Sequence, residues 1–142
     1  RSGKKGTVRI GSKIFGEQYI LAGMYAMLIR GNTELGVETK TGLGGTKICF
    51  DALTNDQIDL YPEYSGTGLL VILQAPPKIV ASLKTKEQVF TYVKNEFARR
   101  YHIKWLMPVG FNNAYALMMR RKQSADLKVK NISDLTFYLK TQ

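Results

Sequence analysis

The sequence predicts a mixed α/β fold in which parallel strands are joined by crossover helices. Short alternating apolar stretches occur at residues 7–12, 35–41 and 58–61. Between them lie segments whose apolar residues repeat at helical spacing, and the intervals suit strand-helix-strand units. With 142 residues and 44% hydrophobic content, the chain is long enough for one ordinary domain with a real core.

In chain order, residues 1–6 read as a flexible tail and 7–12 as the opening strand. Residues 17–30 repeat Tyr19, Ile20, Met24, Met27 and Leu28 at helical spacing, which predicts a helix packed on the sheet and stopped by Gly31-Asn32. The strand at 35–41 ends in Gly42-Leu43-Gly44-Gly45-Thr46, where Thr46 is placed to cap a helix over 47–55 with Ile48, Phe50, Ala52 and Leu53 on its buried side. A short strand at 58–61 and an apolar helix at 66–74 follow.

Pro76-Pro77 opens a loop to Leu83, after which Thr85 and Gln88 form a capping box for a helix over 86–101. Strand character returns at 102–107 and stops at Pro108, and residues 111–119 read as a strand entered through two asparagines. Residues 120–129 read as a charged surface link. Asn131 or Ser133 then caps a last amphipathic helix carrying Leu135, Phe137, Tyr138 and Leu139.

A net charge of +10 attracts nucleic acid, anionic lipid or acidic proteins. The positive residues gather at Lys4-Lys5, Arg99-Arg100, Arg120-Arg121-Lys122, Lys128 and Lys130, without a basic helix or an aromatic-basic repeat, so a solvated face is the commoner reading. A basic nucleic-acid-binding module stands as the alternative function. No apolar run reaches the ~18 residues of a membrane span. A start at Arg1 fits a processed form or a piece of something longer.

Cys49 is the single cysteine, which excludes an internal disulfide and a cysteine-rich metal site, and its apolar neighbours make it a buried structural residue. His102, the single histidine, reads as a helix-end residue. No paired carboxylates in a motif, nucleophile-base pair or metal cluster appears, so neither an enzyme nor a cofactor is expected.

The run Asp59-Leu60-Tyr61-Pro62-Glu63-Tyr64-Ser65-Gly66-Thr67-Gly68 is the strongest site candidate. Tyrosine rings suit an apolar cation, and Ser65, Thr67 and the backbone N–H groups of a helix start suit an anionic group. The bland reading is a turn with core tyrosines. The glycines at 42–46 suit a phosphate cradle but lack a Gly-Lys-Ser/Thr ending, and read instead as a close approach of backbone to a cleft.

Five ordered motifs carry a resemblance: Gly11-Ser12-Lys13-Ile14-Phe15-Gly16-Glu17-Gln18, the glycine run at 42–46, the run at 59–68, Pro108-Val109-Gly110-Phe111-Asn112-Asn113-Ala114-Tyr115-Ala116-Leu117, and Asn131-Ile132-Ser133-Asp134-Leu135. Together they resemble the substrate-binding proteins of ABC importers for quaternary ammonium compounds, the glycine betaine, choline, carnitine and ergothioneine group.

The resemblance implies a periplasmic-binding-protein type II fold, a mixed sheet flanked by helices, with two lobes closing on a ligand around two crossing strands. It matches residues 7–110 to the first part of lobe one and 111–142 to a crossing strand and the beginning of an incomplete lobe two. It also implies a tyrosine cage around a trimethylammonium group, with Tyr64 and Tyr115 in the cage. Lys13 is implied as a charge partner, Thr67 as a hydroxyl donor, and Gln18 and Asn112 as further contacts. Lys13 leans the ligand towards a zwitterion rather than choline. The implied partners are this ligand and a membrane permease, with the domain free, lipid-anchored or fused, in the periplasm or at the outer face of a bacterial cytoplasmic membrane.

Overall fold

The structure, a computed structural model, describes residues 6–141, so the expected tail lies outside the described residues except for Gly6. β1 (Thr7–Lys13), α1 (Gly16–Asn32) and β2 (Gly36–Gly44) form one parallel strand-helix-strand unit. The register runs from Thr7 opposite Gly36 to Lys13 opposite Gly44, with an irregularity between Gly11 and Lys13.

α1 lies on this unit by a different face from the one its large apolar residues suggest. Ala22 and Ala26 are buried with Ile10, and Leu21 is buried as well, whereas Tyr19, Ile20, Met24, Met27 and Leu28 are exposed. Two alanines let the helix backbone approach the strand closely, and the bulkier side chains fall on the opposite side.

The expected strand at 58–61 is reduced to one parallel bridge between Ile10 and Leu60. Asp59 N–H donates to the Arg9 carbonyl at 2.8 Å and Gly11 N–H to the Leu60 carbonyl at 2.8 Å. Pro62 then removes the next backbone donor, so the ladder stops. Arg9 secures the segment by donating to both Asp59 carboxylate oxygens, Nε to Oδ2 at 3.0 Å and NH2 to Oδ1 at 2.8 Å. These bonds hold the Asp59 carboxyl below its usual range.

α2 (Thr46–Thr54) begins one residue earlier than expected. Gly45 is its N-cap, so Thr46 is a helical residue and caps nothing. Cys49 and Ala52 are buried as expected, but Ile48 is exposed, its Cδ1 lying against Gly44 where a Cβ would stand 2.5 Å away.

The apolar segment after the tyrosines is a short α3 (Ser65–Thr67) passing into a π-helical turn, Gly68–Ile72. A Cβ on Gly68 would stand 2.8 Å from Trp105 Cζ2, so this close approach requires glycine. Pro77 starts α4 (Pro77–Ser82) where a loop was expected, because proline is preorganised for a first helical turn. α5 (Lys86–Tyr101) has the expected capping box between Thr85 and Gln88, and His102 is its left-handed C-cap at φ 57°.

Leu69, Leu73, Val93 and Phe97 form a core flanked by Phe50, Tyr101 and Trp105. Phe97 meets these three rings edge-on at centroid distances of 6.0, 5.4 and 5.2 Å. Residues 102–107 form no strand; Ile103 and Trp105 pack on this core instead.

The chain divides into two compact units, the first ending at Pro108 and the second beginning at Val109. In the second, residues 111–119 are exposed and form no ladder, since among the described residues this unit holds no strand to pair with. The charged link contains α6 (Arg121–Asp126), closed by Ser124 Oγ donating to the Val129 carbonyl at 2.5 Å. α7 (Ile132–Lys140) follows, with Asn131 as its cap and Asp134 completing a capping box. No described helix is long and apolar enough to cross a membrane.

Candidate ligand site

The carboxyl ends of β1 and β2 and the segment after the Leu60 bridge bring three of the sequence-predicted residues together. In open α/β sheets this edge is where ligands bind, because the following helices begin there and their N–H groups face the crevice. Lys13 ends β1, Gln18 lies in the first turn of α1, and Tyr64 is the N-cap of α3.

Tyr64 is fixed at both ends. Its phenol donates to the Glu17 carboxylate and accepts from Gln18 Nε2 at 3.4 Å. Its backbone N–H donates to Glu63 Oε1 at 2.8 Å. Gln18 is fully buried and also accepts from the Lys13 N–H at 3.3 Å, which ties the first turn of α1 to the end of β1.

Lys13 turns inward. Its Nζ lies 2.5 Å from Glu63 Oε1, and the two side chains are 4% and 7% exposed. The same ammonium stands 5.5 Å from the centroid of the Tyr64 ring, within cation-π range. Tyr61 completes the group by donating its hydroxyl to Glu63 Oε2 at 3.1 Å. Burial and the adjacent Glu63 carboxylate push the Tyr61 phenol far above its ordinary range, so it remains a donor.

The glycine run closes the end of the strands. Gly42 N–H donates to Ser12 Oγ at 3.0 Å, and Ile14 N–H to the Gly44 carbonyl at 3.2 Å. Gly42 has φ 70°, and a Cβ there would stand 2.3 Å from the Tyr19 hydroxyl. The left-handed backbone thus explains this glycine, since the exposed Tyr19 hydroxyl can swing aside, and the Gly42 amide is already satisfied.

Thr67 is partly buried at the end of α3. Asn112 and Tyr115 belong to the second unit, where both are exposed and Tyr115 reaches 107% relative exposure. Sequence reasoning did not single out Glu17 or Glu63. Their signal was available: Glu63 stands between the two tyrosines of the Tyr-Pro-Glu-Tyr run, and Glu17 directly precedes Gln18. Among the described residues no group of histidine, cysteine, aspartate and glutamate could hold a metal ion.

Residues 6–141 match the family described as the substrate-binding domain of ABC-type glycine betaine transport systems. A glycine-betaine-binding protein of Pseudomonas aeruginosa is 34% identical over 136 residues, covering 96% of this chain and 41% of that protein. The carnitine transport binding protein OpuCC of Listeria monocytogenes is 30% identical over 132 residues, covering 92% of this chain and 41% of that protein. The solved structure of apo YehZ from Escherichia coli superposes with a TM-score of 0.65 at 27% identity, over 95% of this chain and 47% of that one. The fold is of the periplasmic-binding-protein type II class, and the chain spans less than half the length of these relatives. It belongs to the family of non-enzymatic substrate-binding domains of ABC-type glycine betaine transport systems.

Proposed function

We propose that the chain forms one wall of the ligand cleft in a solute-binding protein of an ABC importer, and that the ligand is a trimethylammonium compound. The observation that carries this reading is the Tyr64 ring, held at the carboxyl end of the parallel strands by its phenol on Glu17 and its backbone on Glu63. A quaternary ammonium cannot donate N–H hydrogen bonds, so ring faces are its natural partners, each contributing on the order of 0.5–2 kcal/mol once water is excluded. A ring fixed in advance loses little entropy when the ligand arrives.

Thr67 serves the ligand's polar end in this reading, whereas Gln18, fully buried between the Lys13 backbone and the Tyr64 phenol, supports the wall from within. Tyr115 and Asn112 are proposed as ligand contacts on their motif alone. Lys13 takes a different role from the one its motif implies. Its ammonium is the internal partner of Glu63, so it supports the wall and does not meet a ligand carboxylate. With its charge balanced by Glu63, Lys13 is not a direct counter-charge that favours a zwitterion over choline. Delivery is to a membrane permease, with the domain on the outer side of a bacterial cytoplasmic membrane.

Calorimetry on the full-length protein with choline, glycine betaine, carnitine and ergothioneine tests the proposal. Saturable heat with at least one of them is expected; no heat and no thermal shift with any of the four overturns it.

A further inference from the structure

We infer that Glu63 and Lys13 form a charge-balancing pair that sets the preference of the site between a pure cation and a zwitterion, without either residue touching the ligand. The inference rests on the cation-cage reading above. Glu63 accepts from Lys13 Nζ, the Tyr64 backbone N–H and the Tyr61 hydroxyl, so one carboxylate joins both tyrosines to the end of β1. The ammonium it balances lies 5.5 Å from the Tyr64 ring centroid.

With both side chains almost wholly buried, water screens their charges poorly, so each charge acts on its surroundings except as the other cancels it. Removing the carboxylate leaves the ammonium over the Tyr64 ring uncompensated, which repels a cation held on that ring and attracts a carboxylated ligand. Removing the ammonium leaves a negative charge there, with the opposite effects. Removing both restores neutrality. Glu63 and Lys13 are thus positioning and specificity-determining residues acting through Tyr64.

The test measures the affinities of choline and glycine betaine for full-length wild-type protein and for Glu63→Gln, Lys13→Met and the double variant, alongside ligand-free melting curves. Glu63→Gln is expected to lower the choline-to-betaine affinity ratio by roughly 10-fold and Lys13→Met to raise it by a similar factor, the size expected of one poorly screened charge within about 10 Å. The double variant is expected to return the ratio to within about 3-fold of wild type. A merely structural role lowers both affinities together and leaves the ratio unmoved, and that result overturns the inference. If the single variants fail to fold, the neutral double variant still decides, because a ratio displaced by about 10-fold or more there contradicts charge balancing. Wild-type protein that binds neither ligand overturns this inference; only if carnitine and ergothioneine also fail does the cation-cage reading fall with it.

Discussion

Tyr64 shows how much of a binding residue's behaviour is set by what lies behind it. Its ring can face a ligand because its hydroxyl is occupied by Glu17 and Gln18 and its backbone by Glu63. Replacing the ring with an aliphatic side chain, Tyr64→Leu, should weaken trimethylammonium binding about 3- to 30-fold, the worth of one cation-π face. Tyr64→Phe keeps the ring and loses the bond to Glu17, so titration calorimetry should place it between Tyr64→Leu and wild type. Equal losses in the two variants would show that the hydroxyl, and not the ring face, makes the contact. The tyrosines were legible in the sequence as cation-binding chemistry. The inward turn of Lys13 was not, because a lysine at a strand end is ordinarily solvated and only the return of the chain at Glu63 provides a buried counter-charge.

At the scale of elements, local signals held where an element's own residues decide it. The capping boxes at Thr85 and Asn131 and the left-handed stop at His102 form as their residues dictate. Strands were less legible, because a strand exists only when another strand accepts its hydrogen bonds. The stretches at 102–107 and 111–119 have strand composition and no ladder. α5 carries a pH-dependent contribution near its C-terminus. Glu96 accepts from Arg99 Nε at 3.1 Å and Arg100 Nε at 2.7 Å, and these guanidinium groups lower its pKa from 4.5 to about 2. A depressed carboxylate pKa stabilises the fold above the unfolded value, and that stability is lost as pH falls through the folded one. Glu96→Gln should therefore lower stability at neutral pH and show a shallower decline than wild type between pH 4.5 and about 2, as read by denaturant unfolding. The π-helical turn gives a second prediction. Gly68→Ala drives a methyl to 2.8 Å from the Trp105 ring and should cost on the order of 1–3 kcal/mol, measurable as a lower melting temperature.

At the scale of the molecule, the first unit is held by two apolar groups, one where α1 meets β1 and one where α5 meets the π-helical turn. Phe97 centres the second, 2% exposed and edge-on to three rings. Phe97→Ala should cost about 3–5 kcal/mol in denaturant unfolding of the full-length protein, the range for a buried aromatic whose cavity cannot collapse. Several of the basic residues are paired within their own helices: Arg99 and Arg100 with Glu96, and Lys122 with Asp126.

The sequence by itself determined the opening strand-helix-strand order, the capping box at Thr85 and the family, because periodicity, capping and ordered motifs are properties of neighbouring residues. Tertiary structure alone decided which face of α1 is buried, that Thr46 begins a helix and does not cap it, and that Lys13 is spent on Glu63. Those outcomes join residues up to 50 positions apart. Their energies come from burial and charge pairing, which depend on what the returning chain places opposite each side chain.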